Sequence, residues 1–196
     1  MSKPASPEFD LVNPVSSAAS VLRAAVLSPR QFFLNFQTEG PIKEPAVFAL
    51  LVGLLSGVVS LLAAPIFEFL FGSGSGEVWG LPLFGALAFA LLSPAFVALM
   101  AAVYLLSVRT FVGKVGDFRG MFRMAAYAYA AMVFAWVPFI GAFAITYSLM
   151  VVMGVGVRFV HRTTFLTALV ASLTSYLPLA LVLIALRGVT FQLTSL

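Results

Sequence analysis

Between Arg123 and Arg158 no side chain other than tyrosine can ionise, and this apolar run is what most limits the fold. As one helix, the stretch from Phe118 to Val157 would be about 60 Å long at 1.5 Å per residue. The hydrocarbon layer of a bilayer is only about 30 Å thick, so the run has to cross twice. The reversal is expected at Val137-Pro138, because Pro138 lacks an N–H and disfavours helix at the residue before it, and Gly141 follows. Asp117-Phe118-Arg119-Gly120-Met121-Phe122-Arg123 opens this hairpin, and Arg158, His161 and Arg162 close it. Both open ends therefore carry basic groups on the same side of the membrane.

The rest of the chain is arranged about that hairpin. Only 9% of residues are charged and 62% are hydrophobic, against roughly a quarter charged in soluble domains. The fold class is all-α, a polytopic membrane protein of one membrane domain over 46–187 with five transmembrane helices. Apolar run lengths place the spans at about 46–70, 81–108, 118–137, 139–157 and 163–186. Residues 1–14 read as a disordered polar leader. They are not expected to be a signal peptide, since Pro4, Pro7, Glu8 and Asp10 precede any apolar run.

Residues 15–45 read as N-terminal interfacial amphipathic helices. Val15 to Leu27 has helical spacing with Arg23 off the apolar face, and Ser28-Pro29-Arg30-Gln31 has the spacing of a capping box. The second of these helices carries Phe32, Phe33 and Phe36 and is too short to span, so its rings lie in the acyl boundary or pack on the ends of the spans. Gly72 to Glu77 is expected to be a flexible loop with Trp79 as an interface anchor, and Pro94 to kink the second span, with Ser93 meeting a freed backbone group. Residues 188–196 form a polar tail.

Lysine and arginine counts orient the chain. Lys3, Arg23, Arg30, Lys43, Arg109, Lys114, Arg119, Arg123, Arg158 and Arg162 fall on one side and only Arg187 on the other, which puts the N-terminus in the cytoplasm. A bacterial cytoplasmic (inner) membrane is the expected location. Small residues recur at Gly53, Ser56, Gly57 and Ser60 in the first span, and at Gly141, Ala144 and Ser148 beyond the turn; such ridges let helices approach closely. A chain this small has room to bury one ridge, so the other argues for a homo-oligomer.

Chemistry is sparse. With no cysteine there is no disulfide framework and no thiol ligand. No metal-ligand spacing, phosphate-binding glycine loop or nucleophile–base pair is present, so no metal, cofactor or catalytic residue is expected. The net charge of +4 follows from membrane topology and does not call for nucleic acid. Arg119 and Arg123 are expected to snorkel to the headgroups, leaving only neutral polar groups in the spans: Ser93, Thr146, Tyr147, Ser148, Thr174, Ser175 and Tyr176. The conspicuous constellation is the basic rim of Arg30, Arg109, Lys114, Arg119, Arg123, Arg158, His161 and Arg162, where each lysine or arginine contributes about 1 kcal/mol toward an anionic leaflet. Membrane lipids are thus the expected partners. The expected function is non-enzymatic: organising the membrane or scaffolding partners through anionic lipid. The alternative is a small passive transporter, channel or lipid scramblase using the neutral polar groups.

Several short motifs, taken in order, also resemble a known family. They are Ser28-Pro29-Arg30-Gln31-Phe32-Phe33 before the first span, Gly113-Lys114-Val115-Gly116-Asp117-Phe118 before the third, Tyr127 within it, Pro138-x-x-Gly141 at the turn, and His161 with Ala168 at the last span. Over roughly Leu27 to Leu186 the chain resembles the Yip family (Ypt/Rab-GTPase-interacting membrane proteins), in particular its bacterial members. The resemblance implies a five-helix membrane domain with a cytoplasmic N-terminus. Eukaryotic members are implicated in vesicle trafficking, GTPase recruitment and bilayer shaping. This chain lacks their Asp-Leu-Tyr-Gly-Pro signature, so a GTPase partner is not carried over to it.

Overall fold

A computed structural model describes residues 7–71, 83–113, 116–135, 137 and 140–194. Among them there is no strand, and the helices are α1 (Pro14–Leu27), α2 (Pro29–Leu34), α3 (Lys43–Phe71), α4 (Leu83–Phe111), α5 (Phe118–Ala128), α6 (Ile140–Thr146), α7 (Met153–Val160) and α8 (Phe165–Thr194). A 3₁₀ segment, Tyr129–Phe134, continues α5, and a π segment, Tyr147–Val152, joins α6 to α7. The protein is an all-α polytopic membrane protein. Four stretches are long and apolar enough to cross a bilayer: Lys43–Ala63, Ala90–Phe111, Ile140–Val160 and Phe165–Leu183.

The remaining expected span, 118–137, takes a different form. The 11 residues of α5 and the 6 of the 3₁₀ segment give a rod of about 28 Å at the rises of the two helix types. This rod is the centre of the bundle, with every residue from Gly120 to Val133 buried. Its alanines at 125, 126, 128, 130 and 131 explain how neighbours approach from all sides. Packed on it are α3, α4, the π segment, α7 and, on the N-terminal side, α1. The reversal lies between Phe134 and Ile140, as expected, and Pro138 itself falls outside the described residues. A Cβ on Gly141 would overlap the carbonyl oxygen of Ala135, so a glycine is what lets the chain turn back so tightly.

Both irregular segments depart from the i→i+4 ladder of an α-helix, and in a membrane such backbone is tolerated only inside protein. Hydroxyls reach backbone carbonyls in and beside both segments. Ser56 Oγ donates to Met132 O at 2.9 Å, Ser148 Oγ to Ala128 O at 2.8 Å, and Tyr104 Oη to Leu149 O in the π segment. From the π segment, Tyr147 Oη reaches Val26 O in the last turn of α1 at 2.7 Å.

Several expectations need correction. From Glu8 on, the leader is docked on the bundle, because Phe9 is buried against Phe48 and Tyr127. Of the two placements open for the α2 rings, Phe32 and Phe33 take the packed one, buried and each within 6 Å of the Phe36 ring centre. The Ser28 hydroxyl makes no capping bond, so the capping box does not form. Gly53, Ser56, Gly57 and Ser60 are all buried within the monomer, as are Gly141, Ala144 and Ser148. Both small-residue ridges are thus used internally, and the argument that one must face a second copy loses its basis. The loop at 72–77, Trp79 and Lys114 lie outside the described residues.

Candidate functional site

The site begins at the start of α5. Asp117 caps the helix in extended backbone, its carboxylate accepting the Gly120 N–H at 2.9 Å. Arg119 in the first turn is exposed. One turn further, Arg123 is only 2% exposed, so it does not snorkel to the headgroups. Its Nη2 meets Glu8 Oε1 at 2.7 Å, Nη1 donates to Pro41 O at 2.8 Å, and Nε to Gln37 O at 3.3 Å. The chain between α2 and α3 makes room by passing close: Gly40 has φ 140°, and a Cβ there would stand 2.6 Å from Nη1. Tyr127, one turn deeper on the same face, receives the Phe9 N–H at 3.4 Å and holds ring contacts with Phe32, Phe36 and Phe48. Leader, α2–α3 loop and α5 are thereby tied together over one buried cation. A buried charge is tolerated only when paired and hydrogen-bonded, and Glu8 with two carbonyls meets that demand.

The other basic groups gather at the same end of the bundle but stay open. Arg30, Arg109, Arg119, Arg158 and Arg162 are exposed, and among the described residues none of them has a carboxylate within salt-bridge distance. Two share one ring: the Phe159 centroid lies 5.7 Å from Arg30 Cζ and 5.3 Å from Arg158 Cζ. Arg158 also lies 5.8 Å from the Phe165 centroid. Arg162 turns the chain from α7 to α8 with φ 50°, a left-handed position uncommon for arginine.

His161 ends α7, its backbone N–H bonding Val157 O at 3.1 Å. Its ring stands over Gly116, beside a cavity of about 170 Å³ bordered by Thr38, Asp117 and Met124. Nε2 is buried and has no hydrogen-bond partner among the described residues. Burial pushes the imidazole pKa below its usual value, which favours the neutral ring and takes His161 out of the count of cations.

The neutral polar groups expected in the spans join helices to each other or to themselves. Ser93 pairs with Tyr129 Oη at 3.2 Å, Thr146 with Tyr176 Oη at 3.0 Å, and Ser175 with Ser107 at 2.8 Å. Tyr147 and Ser148 make the carbonyl bonds described above, and Thr174 bonds back to Val170 O at 2.9 Å. None of the seven borders the His161 cavity.

Glu8, Phe9 and Gly40 were not foreseen as site residues. One signal was available: no residue three or four positions from Arg123 is acidic, so an arginine this far into an apolar helix needs a carboxylate from elsewhere.

A family model described as the Yip1 domain matches residues 24–186. No curated protein and no solved structure matches the chain.

Proposed function

The chain belongs to the Yip1 domain family, and from that premise we propose that it is a non-enzymatic membrane protein that organises the bilayer or scaffolds partners by holding anionic lipid at its basic end. On this reading the basic end faces the cytoplasm of a bacterial cell, with the N-terminus on that side of the inner membrane. The observation that carries it is the contrast between two kinds of arginine. Arg123, which is buried, has its own carboxylate, whereas Arg30, Arg109, Arg119, Arg158 and Arg162 are exposed and lack one among the described residues. Exposed cations without internal partners are free to meet phosphates of an anionic leaflet. Passive transport through the neutral polar groups draws less support, because their hydroxyls are committed to carbonyls and to each other.

The test is lipid retention by the purified protein. Replacing Arg109, Arg119 and Arg158 together by glutamine should strip phosphatidylglycerol or cardiolipin from the protein in native mass spectrometry. Unchanged retention removes the lipid part of this function.

A further inference from the structure

A second cavity, about 200 Å³, runs between α7 and α8. Met150, Val151, Gly154, Phe165 and Ala168 border it, and among the described residues Arg158 is its one ionisable border residue. The helices meet at its floor, where a Cβ on Gly154 would stand 2.9 Å from Ser172 Oγ, while Val151 and Phe165 on its walls are exposed. From Arg158 to Met150 the groove follows α7 for about 12 Å, close to the roughly 15 Å of one leaflet's hydrocarbon. One end is thus a cation at headgroup level and the remainder an apolar channel toward the bilayer middle.

The cation is not alone. Arg30 lies against the same Phe159 ring as Arg158, and neither has a carboxylate within salt-bridge distance among the described residues. Both guanidiniums stand within 6 Å of one ring centre, which holds two positive charges near each other with no carboxylate between them among the described residues. Arginine forks match phosphate oxygens two at a time.

We propose that this groove is a lipid site, taking one acyl chain of an anionic glycerophospholipid whose phosphate is held by Arg158 and Arg30. The inference rests on the lipid-binding reading of the basic end and gives that reading a location. A free phosphate would use the arginines and leave the groove unfilled; a zwitterionic lipid would fill the groove but bring a quaternary ammonium to the two cations and no net negative charge. An anionic phospholipid fills the groove and brings its phosphate charge without that added cation.

The experiment is titration of the purified full chain with dioleoyl phosphatidylglycerol in native mass spectrometry, with melting curves run on each variant to show that it is folded. Arg158→Gln should weaken retention about fivefold, equivalent to ~1 kcal/mol. Val151→Trp changes no charge and fills the groove from an exposed position; it should weaken retention by a similar factor. Leu62→Trp, on an exposed face of α3 away from the groove, should leave retention unchanged. The groove is ruled out if Val151→Trp retains the lipid as the parent does, or if dioleoyl phosphatidylcholine is held equally well. Suppose the combined Arg109, Arg119 and Arg158 replacement loses the lipid while Arg158→Gln and Val151→Trp alone do not. The groove is then not the site, and the basic-end reading stands. If the combined replacement also keeps the lipid, both readings fall.

Discussion

Replacing Arg123 by methionine, which keeps length and removes every donor, tests whether the tie between leader, loop and central helix stabilises the fold. In the structure the side chain makes one ion pair and two carbonyl bonds while only 2% exposed. Removing one partner of a buried ion pair costs about 3–5 kcal/mol, largely because the other charge is left without compensation. Glu8 keeps 37% of its side chain in contact with solvent and can rehydrate, which lowers the figure; the carbonyls of Gln37 and Pro41 have less access. An Arg123→Met loss of about 3 kcal/mol follows. Glu8→Gln keeps the carbonyl bonds but removes the countercharge from a guanidinium only 2% exposed, so it should cost about 2 kcal/mol, with the amide oxygen still able to accept from Nη2. The double variant should be no less stable than Arg123→Met alone, because the carboxylate has nothing left to pair with. The assay is reversible unfolding in mixed micelles followed by tyrosine and tryptophan fluorescence. An Arg123→Met variant within about 1 kcal/mol of the parent, or a double variant that loses the full sum, would refute the reasoning.

Three further outcomes are expected. Gly53→Ala places a Cβ over Ser93 Oγ and 2.9 Å from Ala90 Cα; overpacking of this kind costs about 1–3 kcal/mol, read as a lower midpoint in the same unfolding assay. Ser148→Ala removes the hydroxyl that serves Ala128 O and should cost about 0.6 kcal/mol, the mean for a polar contact between membrane helices, where no change would mean that the carbonyl is already satisfied. Because burial lowers the His161 pKa, its contribution is fully present above the unfolded value of about 6.5 and is lost as pH falls through the folded value; His161→Gln should therefore flatten part of the stability decline below about pH 6.5, and an unchanged pH profile would count against a neutral buried ring.

Hydropathy was a sound guide wherever bilayer thickness sets the rule. The reversal between Phe134 and Ile140, the helical character of the long apolar runs and the gathering of basic groups at one end all follow from run length and charge. Three other features follow from contacts that local pattern does not display. Glu8 lies 115 residues from Arg123, in a stretch whose prolines and charges read as disorder. The 3₁₀ and π segments are built from residues that also make ordinary helix, and the hydroxyls that reach their carbonyls, from Ser56 and Tyr104, lie far off along the chain. A hydroxyl residue in an apolar run looks the same whether it faces lipid, its own helix as at Thr174, or a distant carbonyl as at Ser56. The cap at Asp117 was nearer to hand: an aspartate three residues before Gly120 at the head of an apolar helix is a capping position.

The enclosure of α5 also bears on the order in which the protein is made. Glu8 and Phe9 are synthesised more than a hundred residues before their partners Arg123 and Tyr127. Through that interval Phe9 can meet Phe48 of α3 while Glu8 lacks its guanidinium, and α3 packs on α4. When α5 emerges it brings a guanidinium to the bilayer before any chain beyond it exists, and the waiting carboxylate is what can neutralise it there. The N-terminal segment therefore completes the structure late, which makes a bulky fusion just ahead of Glu8 a disturbance to insertion of the third span rather than a harmless tag.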